Sequence, residues 1–395
     1  MPPSPTRRPK ARRDDAPPRR RLLPRAMWVV LALALFLRGV RLDGVIGGFH
    51  DHNEANYTLM AAHFTPATLL FPNPDGRLFL ETPPLYAWLL ALLFQFTGVS
   101  VVSARLLTIF MGLGLVLATF LLGRRLFDER AGVAAAVLVA VSPVAVLTGR
   151  NIQTDTLLAF LSVTAVLFYA RAQSDDGTRR DSIAFGVALG LAVLTKLFAV
   201  VLVPVLVAWE LAANRGRGRR LRTLVVGLPI AAAPALLFYG FHAVRDFAGT
   251  RALVFGGAAA TRGLPASASE WAGLLIETVW ALSTPVTLCV LAGVILALAR
   301  PSREAMLVLF PLAAYAAFFA LVHKHSYYVL TLVPWGAILA GAALARIPST
   351  AARRGIVGVV AAGAAFVTLV DLTSMKLGFT EFEEFGQAAR AVAGG

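Results

Sequence analysis

Apolar residues in this chain gather in long runs instead of alternating with polar ones. Runs of near-spanning length lie at about 26–41, 104–123, 131–149, 156–170, 182–195, 197–213, 223–243, 272–299, 304–322, 327–345 and 355–372. A helix crossing the hydrocarbon core of a bilayer needs about 20 such residues. The pattern therefore predicts an all-α, polytopic membrane protein with about 11 transmembrane helices. Pro83–Thr97 stands apart from these runs. Residues 82–104 carry no charge, yet only Leu85–Phe94 is continuously apolar, with Pro83-Pro84 before it and Gln95, Thr97 and Gly98 after it.

Charge parity decides how that segment reads. Basic loop residues favour the cytoplasmic side, so the N-terminal tail and the cluster Arg124, Arg125, Arg130 both belong inside. An even number of crossings must separate them, and 26–41 with 104–123 already supplies it. Pro83–Thr97 is therefore predicted to be an interfacial or re-entrant helix. The clusters Arg171/Arg179/Arg180, Arg215–Arg222, Arg300/Arg303 and Arg346/Arg353/Arg354 then fall inside as well. The predicted organisation is a basic cytoplasmic tail at 1–25, a transmembrane domain at 26–373 and a short extracytoplasmic tail at 374–395. The first outer loop, at 42–103, holds the interfacial helices. Met1–Arg25 has nine basic residues, several prolines and no apolar period. It buries too little to offset its ordering entropy and is expected to be disordered. Thr6-Arg7-Arg8 resembles a twin-arginine signal, but further basic residues follow and Met27–Val40 lacks a small-residue cleavage site.

Composition agrees with the pattern. Of 395 residues 57% are hydrophobic and only 15% charged, with a mean hydropathy of +0.71, whereas a water-facing surface takes roughly a quarter or more of charged residues. The net charge of +15 changes meaning once it is sorted by topology. About +16 falls on the cytoplasmic side and −1 outside, so the excess sets orientation and calls for no nucleic acid. The single Cys289 excludes a disulfide framework and a Cys-rich metal site.

Candidate chemistry collects at the outer ends of the spans. The first outer loop holds His50-Asp51-His52-Asn53-Glu54 and Tyr57, then Glu81-Thr82-Pro83-Pro84-Leu85-Tyr86 and Trp88. Other outer turns bring Gly149-Arg150-Asn151-Ile152-Gln153-Thr154-Asp155, Leu194-Thr195-Lys196 and Lys324-His325-Ser326-Tyr327-Tyr328. Each has a plainer reading. Lys196 is placed to snorkel to the headgroups, Asp155 to cap the following helix, and Glu54 to lie on a solvated face. His50 and His52 alternate with Asp51 as metal ligands do, but no third clustered ligand is evident and no metal is expected. The coincidence of carboxylates, cations, imidazoles and phenols at one membrane surface suits a substrate with a charged head in water and a greasy tail in lipid.

At these residues the chain resembles the family 39 glycosyltransferases of the GT-C class, among them protein O-mannosyltransferases and the aminoarabinose transferase acting on lipid A. The similarity runs from about Phe49 to Pro334. It is densest at Pro83-Pro84-Leu85-Tyr86-Ala87-Trp88, Ala104-Arg105-Leu106, Gly123-Arg124-Arg125-Leu126-Phe127, Ser142-Pro143, Thr154-Asp155-Thr156-Leu157-Leu158, Leu194-Thr195-Lys196 and Lys324-His325-Ser326-Tyr327-Tyr328. Many relatives carry Asp-Glu where this chain has Asn53-Glu54, and Lys where it has Thr82. Those two named activities also go with extra soluble domains, which this sequence does not show.

The resemblance implies a polyprenyl-phosphate-linked sugar as donor and a lipid, glycan or protein as acceptor. It places transfer at the outer face of the cell membrane, where direct attack inverts the anomeric centre, and the charge parity above puts the N-terminus in the cytoplasm and the C-terminus outside. Glu54 or Asp51 is then the base, leaving the choice between them open, with Asp155 orienting the acceptor or the base. Lys196, Lys324 and Arg150 bind the donor phosphate, and Tyr57, Tyr86, Trp88, His325, Tyr327 and Tyr328 contact sugar or acceptor. No cofactor is expected, since ionic contacts to the lipid phosphate replace the metal of nucleotide-sugar enzymes. A flippase for lipid-linked glycans and a non-catalytic member of a glycan-assembly complex are the competing readings. The chain shows no internal repeat to favour the first.

Overall fold

A computed structural model of the chain describes residues 23–40, 42, 51–65, 68–69, 83–213, 221–252, 267–321 and 326–374, without the side chains of 51–53, 213, 326 and 373–374. Helices carry almost all of it. In chain order they are α1 (Arg25–Gly39), α2 (Asp51–Ala62), α3 (Leu85–Thr97), α4 (Val101–Leu126), α5 (Glu129–Val141), α6 (Pro143–Thr148), α7 (Thr154–Ala172) and α8 (Arg179–Thr195). There follow α9 (Leu202–Ala213), α10 (Leu221–Arg245), α11 (Phe247–Arg251), α12 (Ala268–Leu282), α13 (Thr284–Ala299), α14 (Arg303–Leu321), α15 (Val333–Ala345) and α16 (Thr350–Ser374). Short 3-10 turns at Leu197–Val201 and Ser326–Thr331 lead into α9 and α15.

Every predicted run falls on helix, but several are interrupted. Among the described residues five helices (α4, α7, α10, α14 and α16) are long and apolar enough to cross a membrane, or six if a bent pair counts as one span. The protein is thus a multi-pass membrane protein. The run at 131–149 breaks at Ser142-Pro143, where Pro143 forces the preceding residue out of the helical region (ψ 125° at Ser142). The run at 272–299, expected as one crossing, is instead two helices meeting at 105°. Ser283 makes this corner with φ +69°, the one non-glycine residue with positive φ among those described. α12 packs against α6 and the Ser326–Thr331 turn, with Trp271, Leu275, Ile276 and Trp280 exposed along it. α3, the predicted interfacial helix, has 13 residues, a rise of about 20 Å against a hydrocarbon core of about 30 Å.

Small residues let the helices approach closely, as they do where lipid supplies no hydrophobic drive between them. α15 is pressed between two neighbours: Gly341 faces the backbone of Ala131 on α5, and Gly293 of α13 faces Leu339 and Ala340. Gly186 and Gly227 set the contact of α8 with α10 in the same way. α2 and α3 join α4, α7 and α8 in a separate apolar cluster built on Met60, Tyr86, Leu90, Met111, Leu158 and Val193. This cluster fixes the first outer loop to the bundle and supports the polar groups described next.

Candidate active site

Arg38, near the end of α1, is fully buried. Pro143 has no N–H to give the carbonyl of Val139 four residues back, and the last carbonyls of α5 are left without helical partners. Arg38 supplies the donors. Its Nη1 donates to Ala140 O at 3.1 Å and its Nη2 to Val139 O at 3.5 Å and Ala145 O at 3.0 Å. The guanidinium thus joins α1 to both sides of the α5–α6 break and holds the turn that follows, Gly149–Gln153.

That turn serves two buried ion pairs. The backbone N–H of Ile152 donates to Glu54 Oε1 at 2.8 Å. Glu54, from α2, has no exposed surface, and Arg105 of α4 grips both its oxygens, Nε to Oε1 at 3.2 Å and Nη2 to Oε2 at 2.9 Å. Arg105 Nη1 donates to Leu42 O at 2.8 Å, tying the start of the outer loop to the same point. Glu54 is therefore not on a solvated face. A carboxylate offers about four lone-pair sites, and the contacts described here occupy two on Oε1 and one on Oε2. Arg150 donates to Val40 O at 2.6 Å. Burial, and then the neighbouring Arg105 cation, lowers its pKa from the ordinary arginine value.

The second pair lies three residues further on. Lys196 Nζ donates to Asp155 Oδ1 at 3.0 Å and Oδ2 at 3.2 Å, both side chains being buried. Lys196 does not snorkel to the surface. Its ammonium lies 4.8 Å from the ring centre of Tyr328, 5.3 Å from Phe198 and 5.4 Å from Tyr327. These are cation–π distances. The N-cap position of α7 is Gln153, which makes no side-chain cap bond, while Asp155 sits in the first helical turn. There its charge also meets the positive end of the helix dipole.

Tyr57 lies one turn after Glu54 on α2. Its ring meets that of Tyr86 edge-on at 5.3 Å, and it lies close enough to Lys196 to interact electrostatically. Tyr86 is wholly buried, with its hydroxyl 2.7 Å from that of Thr108, and Trp88 Nε1 donates to Leu69 O at 2.9 Å. Of the residues anticipated from sequence, the structure brings Glu54, Tyr57, Tyr86, Arg150, Asp155, Lys196, Tyr327 and Tyr328 into this region. His50, Thr82, Lys324 and His325 lie outside the described residues, as does the side chain of Asp51. Among the described residues no three His, Cys, Asp or Glu side chains converge as metal ligands do.

Arg38 and Arg105 were not assigned roles by sequence reasoning. The signal was present, since Arg105 is the lone charge in the run 104–123 and Arg38 lies inside the run 26–41, and an ionisable residue inside a span is expected to have a partner.

Comparison with known proteins agrees with this architecture. Residues 81–241 match the dolichyl-phosphate-mannose-protein mannosyltransferase family. No curated protein matches the chain by sequence. Among solved structures, ArnT from Cupriavidus metallidurans bound to undecaprenyl phosphate is similar over 82% of this chain, with 22% identity and a TM-score of 0.67. The chain has a GT-C glycosyltransferase fold. The Archaeoglobus fulgidus oligosaccharyltransferase tethered to an acceptor peptide shares this GT-C architecture over 89% of the chain, with 16% identity and a TM-score of 0.59. The matched region spans 61% of the ArnT chain and 54% of the oligosaccharyltransferase. The fold implied by the resemblance noted in the sequence is thus borne out.

Proposed function

We propose that this protein is a membrane glycosyltransferase that moves a monosaccharide from a polyprenyl-phosphate carrier to a lipid, glycan or protein acceptor at the extracytoplasmic face. The observation that carries the reading is the short stretch 150–155, running from the turn into α7, which supplies a donor to buried Glu54 and the carboxylate that holds buried Lys196. A carboxylate and a preorganised cation are thereby each anchored to residues three apart in the chain. The undecaprenyl phosphate in the ArnT structure supports a carrier of that kind.

In this mechanism the acceptor hydroxyl gives its proton to Glu54, at the lone-pair site on Oε2 beyond its Arg105 contact. Asp51, one turn earlier on α2, is the alternative base. The acceptor oxygen attacks the anomeric carbon as the bond from that carbon to the phosphate oxygen breaks. Direct displacement inverts the anomeric centre. Polyprenyl phosphate leaves with increased negative charge, which Lys196, Arg150 and Lys324 stabilise. An ammonium has three donors, so Lys196 reaches phosphate while Asp155 holds it in position. Fixed cations of this kind need no reorganisation as charge develops.

Purified protein given radiolabelled polyprenyl-phosphate sugars and a membrane extract is expected to transfer label to an acceptor. Binding of donor without transfer or hydrolysis would favour a flippase, and no turnover at all a non-catalytic partner. The same proposal places the membrane domain at 26–373 in the cell membrane, with eleven crossings and a cytoplasmic N-terminus. A reporter fused after Thr97 or Val99 is expected to read extracytoplasmic, and a cytoplasmic signal overturns that topology.

A further inference from the structure

Gln153 lies in the chain between Ile152, which holds Glu54, and Asp155, which holds Lys196. Its side chain is 1% exposed, and neither its carboxamide nitrogen nor its oxygen has a hydrogen-bond partner. Three residues on, the hydroxyl of Thr156, equally buried, is also unpaired. Position 153 is extended, with φ −140° and ψ 145°. A buried amide left unpaired is destabilising relative to an apolar residue of similar shape. Such a group calls for a partner that arrives. A glutamine side chain turns about three bonds, so its head can swing to a ligand without backbone movement.

We propose that Gln153, helped by Thr156, reads the hydroxyl groups of the donor sugar and so sets which sugar the site accepts. The inference rests on the glycosyl-transfer reading above. A carboxamide presents an acceptor and a donor side by side, matching two adjacent sugar hydroxyls, each of which donates and accepts. It carries no charge, so it adds nothing to phosphate binding. Its place in the chain, between the residue that holds Glu54 and the one that holds Lys196, suits a sugar that bridges base and phosphate.

The test uses the full chain in lipid nanodiscs, melted with undecaprenyl phosphate and with undecaprenyl-phosphate-linked hexoses and pentoses. Wild type is expected to gain stability from the bare lipid phosphate and more from the sugar-bearing form. Gln153→Met, close in shape, is expected to melt at or above the wild-type temperature without ligand, because it removes an unpaired amide. It keeps the shift given by the bare lipid phosphate but loses the extra shift due to sugar. Its affinity for the preferred donor falls about tenfold, the scale of one hydrogen-bonded pair, and its preference among sugars narrows. Thr156→Val shows the same pattern more weakly. If Gln153→Met melts lower without ligand and keeps the sugar-dependent shift, the amide is structural and the proposal fails. A rise in acceptor KM with donor affinity unchanged also overturns it, assigning the amide to the acceptor. If wild type responds to neither lipid, the donor reading itself is wrong, and this inference falls with it.

Discussion

Glu54→Gln is expected to lower sugar transfer by about 10²–10⁴-fold, the usual contribution of a positioned general base. Loss of activity alone does not distinguish a base from a structural anion. Glu54 is fully buried and its charge answers that of Arg105 at 2.9 Å. Removing one partner of a buried pair costs about 3–5 kcal/mol, because the other charge stays uncompensated. Glu54→Gln and Arg105→Met singly are therefore expected to lower the melting temperature in detergent. The double variant Glu54→Leu/Arg105→Met replaces the pair with apolar groups of similar bulk. Such replacements are often neutral or stabilising, so most of the lost stability returns. Activity is expected to stay absent. Should the double variant transfer sugar at a substantial fraction of the wild-type rate, Glu54 is not the base and Asp51 takes its place.

The second large effect concerns Lys196. Its ammonium is held by Asp155 at 3.0 Å and faces three aromatic rings. Lys196→Met retains much of the stem and loses the charge. It is expected to reduce kcat/KM for the polyprenyl-phosphate donor by about 10²–10³-fold, as removal of a transition-state donor does elsewhere. Lys196→Arg is expected to rescue little, since a planar guanidinium does not fill a cage shaped around a compact ammonium. Asp155→Asn keeps the shape but weakens the hold on Lys196, so its effect is smaller and is non-additive with Lys196→Met. A double-mutant cycle on donor turnover measures that coupling. Additive losses would show that the two residues act separately, and full turnover by Lys196→Met would remove it from phosphate stabilisation.

The long apolar runs made the helical membrane fold legible in the sequence, because apolar length reports directly on burial in lipid. The interruptions were harder to read. Ser142-Pro143 carried a visible break signal, and so did Thr284-Pro285, but nothing in Leu282-Ser283-Thr284-Pro285 distinguishes a 105° corner from a modest kink. Positive φ at a serine is imposed by surrounding packing and has no sequence signature of its own. At the site, the clustering of Glu54, Asp155 and Lys196 on one surface followed from topology. Their partners did not. Sequence separates Glu54 from Arg105 by 51 residues and Asp155 from Lys196 by 41. Pairing across such distances depends on which helices become neighbours, and the hydrophobic pattern is silent on that. Gln153 was visible as a residue, but its lack of partners is a property of the folded chain alone.

The closure of the α5–α6 break by Arg38 has a bearing on how the protein is made. The carbonyls that Arg38 satisfies lie 101, 102 and 107 residues further along the chain. At roughly 5–20 residues per second of synthesis, they emerge about 5–20 s after it. During that interval Arg38 has only the carbonyl of Ala34, in its own helix, of its final acceptors, and a poorly paired guanidinium is costly in lipid. A truncated chain that ends before α5 is therefore expected to hold α1 less stably in the membrane than the full chain does, which carbonate extraction of the two would read.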